Sequence, residues 1–307
     1  MTTDHVKARF QRALDTLVEK LKQDPYVLAA ILVGSMSHDV VWEKSDIDLI
    51  VVTQEVKIRY AGLNLTEESV NIHAYMTTRT QYKSVIEGSV GSSFMHSMLS
   101  KGTLLFTHDE TIRELFERRF RFGSLDRQIQ LLRHAASAIP TLYKADKWLT
   151  IRGDLDYCTL YILACVNEIA AIETVLNGEI VGREVLQQAL KHNPDLFKAI
   201  YNDLLRGANT VESLRKAIET INSYLLFHLS EIFKPLLHYL AESGTLRTAT
   251  EISDYFSKQM QVTWIDSACE WLADENIIRK VSSPVRLTEK SRISVEETAY
   301  YYDPEPD

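Results

Sequence analysis

Two apolar runs, AAILVG at 29–34 and DIDLIVV at 46–52, constrain this chain more than any other feature. Each reads as a buried strand, yet the second opens on two acids one residue apart, Asp46 and Asp48. Alternate side chains of a strand point to the same face. Both carboxylates therefore look the same way, about 4–7 Å apart. Two full charges about 4 Å apart repel by about 4 kcal/mol at an effective dielectric of about 20. A neutral partner does not offset that repulsion, whereas a divalent cation does. Carboxylate, water and phosphate oxygens are the ligand set of Mg²⁺. Gly34 and Ser35 close the first run. Gly allows a sharp turn after the strand, and Ser35 then falls at or near the start of the next helix, where free N–H groups attract phosphate. The stretch thus pairs a phosphate cradle with a metal-binding acid pair. An acidic strand edge that caps a helix would explain one of the two acids, but not both together with Gly34 and Ser35.

Periodicity divides the rest of the chain. Val6 to Lys22 reads as an amphipathic helix, followed by strands at Tyr26–Val33, Asp48–Thr53 and Val70–Met76, a helix from Gln81, a strand at Thr103–Thr107 and a helix capped by Asp109. Residues 1–122 form a small α/β unit, with Gly123–Ser124 as a hinge. From 123 to 230 the text is helical, in segments near 126–144, 156–177, 182–191, 195–206 and 211–229. From 231 to 307 three helices (Ile232–Ser243, Glu251–Ser257 capped by Thr248 or Thr250, and Val262–Glu275) precede strands at Ile278–Val281, Val285–Thr288 and Val295–Tyr302, the order of a winged helix. The fold class is α+β in three domains.

With 307 residues, 45% of them hydrophobic, and a net charge of −8, the composition suits a soluble enzyme and gives no general attraction for nucleic acid or membrane. The longest apolar stretches read as too short or too interrupted to span a bilayer. Cys158, Cys165 and Cys269 read as reduced core residues of a cytoplasmic chain. In 261–276 the acids Asp266, Glu270, Asp274 and Glu275 occur without Lys or Arg, which argues against DNA reading and for packing or a homodimer contact.

Gly34–Ser35, ten residues, then Asp46–Ile47–Asp48 on an apolar strand resembles the signature of the DNA polymerase β-like nucleotidyltransferases. Ser45 fits the small polar residue common before the first acid. Residues 99–119 look like the closing strand and helix of the minimal domain, and 157–190 resemble the helical substrate-side domain of aminoglycoside-type members. The resemblance implies that Gly34, Ser35 and Ser45 bind a nucleoside triphosphate, ATP as the leading case, and that Asp46 and Asp48 hold Mg²⁺. An NMP would then pass to a hydroxyl or amine of a small-molecule or protein acceptor.

The chain departs from that family at SVNIHAYMT, residues 69–77, where a third carboxylate is usual and none occurs. Asn71 and His73 share one face, and Glu67 and Glu68 lie just before. Either His73, or an acid of the helical part (Asp146, Asp154, Asp156 or Glu168), serves as general base, or the protein binds nucleotide without transferring it. His73 also has an ordinary reading as a satisfied histidine on a half-buried strand. Trp148, Asp154, Asp156 and Glu168 are candidates for the acceptor side, against the alternative of a solvated linker with an anchored Trp. Arg127 and His134, spaced as in some helical RNases, read as a chance match.

Overall fold

The computed structural model describes residues 3–34, 36, 42–89, 102–118 and 124–304, and the chain divides into two compact units, Met1–Phe122 and Gly123–Asp307.

The first unit runs α1 (Thr3–Lys22), β1 (Val27–Val33), β2 (Ile47–Thr53), β3 (Gly62–Glu67), β4 (Val70–Thr78), α2 (Arg79–Ser89), β5 (Thr103–Thr107) and α3 (Glu110–Arg118). Its mixed sheet has the order β3-β4-β2-β1-β5, with β2 and β4 parallel and the other neighbours antiparallel. Both faces of the central strands are covered, which is why β1 and β2 are almost continuously apolar. On one face Ile47, Leu49 and Val51 pack with Val6, Phe10 and Leu14 of α1. On the other, Ile31, Val33, Ile50 and Val52 pack with Tyr82 and Ile86 of α2 and Ile112 and Phe116 of α3.

Strand β3 has no counterpart among the strands expected from sequence. Its turn to β4 is Glu68–Ser69, both with positive φ, 47° and 62°, as a two-residue type I′ hairpin requires. Neither residue is the Asn or Gly that announces such a turn. Glu67 and Glu68 are not near the acid pair's chemistry: Lys20 of α1 pairs with Glu67, and Arg12 Nε lies 3.3 Å from Glu68 Oε2.

In the second unit α4 (Ser124–Lys147) continues through a π-helical turn, Trp148–Arg152, which Gly153 ends at φ 64°. Helix α5 (Leu155–Leu176) packs along α4. Next come α6 (Val185–His192) and α7 (Pro194–Phe197), a π turn at Lys198–Asn202, α8 (Asp203–Arg206) and α9 (Val211–Phe227). The single helix expected at 195–206 is therefore three pieces. By length and composition α5 is apolar enough to cross a membrane, contrary to the expectation from its interruptions. Its Cys165, Ile169, Ala170 and Ile172 lie in the core of this unit.

The remainder comprises α10 (Leu229–Ile232), α11 (Lys234–Ser243), β6 (Arg247–Thr248), α12 (Ala249–Met260), α13 (Ile265–Asp274), β7 (Arg279–Val285) and β8 (Val295–Tyr301), with sheet order β6-β8-β7, all antiparallel. Thr248, not Thr250, caps α12: its hydroxyl accepts from Glu251 N–H while Glu251 accepts from Thr248 N–H. The two short strands expected at Ile278–Val281 and Val285–Thr288 are one strand, β7, followed by a loop. Phe233, Phe256 and Trp271 belong to the same apolar cluster as Ile139 and Ile162, so the expected boundary at 230 runs through a continuous core.

Candidate functional site

The candidate site lies where β1 ends and β2 begins. The antiparallel ladder sets Val33 opposite Asp48, and the parallel ladder sets Asp48 beside His73. Side chains of Asp48, Ile50 and Val52 alternate onto one face with His73, Tyr75 and Thr77 of β4. Helices α2 and α3 cover the later part of that face, at Ile50 and Val52. The earlier part carries the acids, and there the side chains of Asp46, Asp48 and His73 are 41%, 24% and 39% exposed.

Gly34 is required by this geometry twice over. Its φ is +75°, a region that side-chain-bearing residues rarely adopt. A Cβ at position 34 would also overlap the Oδ2 atom of Asp48. The bare backbone is what lets the Asp48 carboxylate sit at the end of β1.

His73 Nδ1 lies 3.1 Å from Asp46 Oδ2 and 3.6 Å from Asp48 Oδ1. One ligand atom from each of the three residues falls within 4.8 Å of the others, and among the described residues no third carboxylate joins them. Two carboxylates and an imidazole converging at such spacing fit a divalent metal ion by donor type and by distance. Asn71, the other candidate on this strand, is exposed and pairs across the ladder with Thr66.

The remaining expected residues divide clearly. Ser35 lies outside the described residues. Ser45 closes the turn before β2: its hydroxyl accepts from Trp42 N–H at 3.1 Å, and its own N–H donates to Trp42 O. That turn leaves Trp42 64% exposed, with the Lys44 ammonium 6.0 Å from its ring. Trp42, at the turn that Ser45 closes, and Tyr75, two residues beyond His73 on the same face, are exposed aromatic surfaces that sequence reasoning passed over. Strand alternation from His73 would have pointed to Tyr75.

The four candidates for the acceptor side lie in the second unit, and three of them have partners there. Trp148 stacks on Tyr157, ring centroids 4.6 Å apart. Asp154 caps α5, accepting from Tyr157 N–H at 2.9 Å. Glu168 Oε2 lies 2.7 Å from His134 Nδ1. Asp156 is exposed in the first turn of α5. Arg127 donates to the Val175 and Leu176 carbonyls, which closes the C-terminal end of α5.

Residues 15–111 match the family model described as polymerase beta, nucleotidyltransferase. Among solved structures, the chain is similar to a nucleotidyltransferase-like protein from Exiguobacterium sibiricum, at a TM-score of 0.65 and 16% identity, over 95% of this chain and 98% of that one. No curated protein matches the chain. At that identity the solved structure speaks to the fold, which it shares through both units, while the family match falls on the strands that carry Gly34, Asp46, Asp48 and His73. The first unit of this chain is therefore a nucleotidyltransferase domain of the polymerase β superfamily.

Proposed function

We propose that this chain is a metal-dependent nucleotidyltransferase that moves an NMP, AMP from ATP as the leading case, onto a hydroxyl or amine of a small-molecule or protein acceptor. The observation that carries this reading is the convergence of Gly34, Asp46 and Asp48 on one open patch of the matched domain. A divalent cation held there, with Mg²⁺ the ion that carboxylate and phosphate oxygens suit, would supply neutralisation of the charge that develops as pyrophosphate leaves. Asp46 and Asp48 would hold it, since both carboxylates already face the same way. Gly34 leaves the backbone bare beside Asp48, so a triphosphate can approach closely. Ser35, next in sequence, would donate to a phosphate oxygen. His73 stands within reach of both acids, and with no third carboxylate in the group it would either take the acceptor's proton or complete the metal site.

Incubation with Mg²⁺, each of the four NTPs and a mixed pool of acceptors tests the proposal through pyrophosphate release. Release that disappears in Asp46→Asn/Asp48→Asn supports transfer. Nucleotide binding without release for every acceptor would overturn it.

The imidazole at the third position also favours a second reading, a nucleotide-binding regulator without turnover. In that case the C-terminal part, in which α11, α12 and α13 precede the β7–β8 hairpin, would act as a winged-helix-like module. Its α13 carries Asp266, Glu270 and Asp274, and Lys280 of β7 is engaged by Glu270. A protein partner or a second copy of this chain suits such a surface better than DNA.

A further inference from the structure

We propose that His73 is itself a metal ligand, so that Asp46, Asp48 and His73 form a mixed oxygen–nitrogen site that prefers Mn²⁺ and Co²⁺ to Mg²⁺. The inference rests on the metal-site reading of the acid pair and adds a selectivity that two carboxylates alone do not confer.

The distances support it first. Ligands about 2.1 Å from a metal are about 3.0 Å apart along the edge of an octahedron and about 3.4 Å apart in a tetrahedron. His73 Nδ1 lies 3.1 Å from one carboxylate and 3.6 Å from the other. The shorter separation matches an octahedral edge and the longer lies slightly beyond a tetrahedral one, so a small shift of one side chain would bring all three donors onto one cation.

The placement is also set by backbone. Asp48 and His73 are register partners on parallel strands, and Asn64 of β3 is the register partner of His73 on its other side. The imidazole is thus delivered to the acids by the ladder rather than by a freely chosen rotamer. All three side chains remain partly open, which leaves coordination positions for water or phosphate oxygens.

Chemistry then fixes the preference. Mg²⁺ takes oxygen ligands and dehydrates reluctantly. First-row transition ions gain affinity from an imidazole, rising from Mn²⁺ to Co²⁺ in the usual order. Replacing a third carboxylate by a neutral nitrogen also lowers the site's formal charge from −3 to −2, which weakens a hard ion most.

The test uses the full chain with Mn²⁺ alone. Electron spin echo spectroscopy of bound Mn²⁺ should show ¹⁴N coupling, absent in His73→Asp, a variant that keeps a ligand and so keeps the metal. Titration calorimetry with Mn²⁺ and Mg²⁺ should show the Mn²⁺-to-Mg²⁺ affinity ratio falling about tenfold or more in His73→Asp and in His73→Ala. Bound Mn²⁺ without ¹⁴N coupling, or an affinity ratio unchanged in both variants, overturns the inference. No Mn²⁺ binding by the wild-type chain overturns it as well. Pyrophosphate release separates this outcome from the fate of the transferase reading. Release without ¹⁴N coupling removes His73 from the ligand set and leaves transfer standing, while coupling without release keeps the metal site and removes transfer.

Discussion

Each unit of this molecule keeps a cluster built on carboxylate, one residue in the second unit and a pair in the first, and the two are treated in opposite ways. In the second unit Glu173 is 7% exposed and is met by Tyr224 Oη at 2.8 Å, Asn177 Nδ2 at 2.9 Å and Asn193 Nδ2 at 3.4 Å. Those donors come from α9, the end of α5 and the residue before α7, so one buried carboxylate ties three segments together. In the first unit Asp46 and Asp48 share an imidazole at a partly open strand end. A buried charge must be satisfied by the protein itself. A carboxylate pair left open to solvent at a strand end has no such constraint and can meet a cation. The first arrangement serves stability, and on the proposed function the second gives up some stability for binding.

Substitutions at the two clusters should therefore separate function from stability. Asp46→Asn with Asp48→Asn is expected to lower nucleotide transfer by about a thousandfold or more, while the unfolding midpoint in urea stays level or rises, because a like-charge repulsion is removed. A large loss of stability would show that the pair is structural and would erase the contrast. Glu173→Ala should do the reverse. It strands the buried Tyr224 hydroxyl, at a cost of about 1–3 kcal/mol, and takes a partner from the half-buried Asn193 and the exposed Asn177, so stability in urea should drop by about 2 kcal/mol while Mn²⁺ affinity is unchanged. Tolerance of Glu173→Ala would mean that water replaces the carboxylate and that the cluster is less closed than its burial indicates.

Gly34→Ala sharpens the same contrast inside the first unit. The positive φ alone costs about 1–2 kcal/mol, and the added Cβ competes with the Asp48 carboxylate for one volume. Metal affinity should fall about tenfold or more by calorimetry, with circular dichroism showing the helices retained. An unchanged affinity would show that Asp48 can move away from the end of β1 and still bind.

These expectations start from what the sequence made legible. Gly34, Asp46 and Asp48 stood out because two apolar runs fixed the strands and the period-2 rule fixed the faces. The strand ladder then placed His73 beside Asp48, where it had been one of several candidates. Ser45 fitted a family pattern, yet its hydroxyl closes a turn onto Trp42, a local bond that a motif does not reveal. Asp154 and Glu168 stood out as acids of the helical part, but one caps α5 and the other pairs with His134. Acids chosen by residue type alone are claimed by whichever donors the fold brings to them. The π turn at Lys198–Asn202 escaped notice because its apolar spacing reads as ordinary helix, and the one at Trp148–Arg152 because that stretch reads as a connection between two helices.

A smaller effect distinguishes capping from the site. Asp109 Oδ1 accepts from the Thr111 hydroxyl at 2.7 Å and from Thr111 N–H at 2.9 Å, and Arg79 Nε lies 3.2 Å from Oδ2. The Thr111 hydroxyl bond above all, then its N–H and the Arg79 charge, hold this carboxyl below its usual range. A depressed folded value means the stabilisation is present above the unfolded value and is lost as pH falls through the folded one. Asp109→Ala should cost about 1 kcal/mol near pH 7, and the difference from wild type should shrink below about pH 4. A difference that stays constant into acid would assign the effect to helix packing instead.

The smallest expected effect lies at the Glu68–Ser69 turn, which joins the unexpected strand β3 to the strand that carries His73. Both residues hold positive φ without being Gly or Asn, and that conformation costs an ordinary residue about 1 kcal/mol. The strain is tolerated because β3 pairs with β4 along its whole length, from Gly62 opposite Tyr75 to Glu67 opposite Val70. Arg12 and Lys20 of α1 also engage the two glutamates at this corner. Ser69→Gly relieves one strained position but loosens the unfolded chain, so the net gain should be about 0.5–1 kcal/mol in urea unfolding. Mn²⁺ affinity should not change, because His73 is fixed by its ladder to β2 and not by the turn. Were the same substitution to weaken Mn²⁺ binding, the strained corner would be part of what aims the imidazole at the acids. The open cluster would then depend on stored backbone strain as well as on strand register.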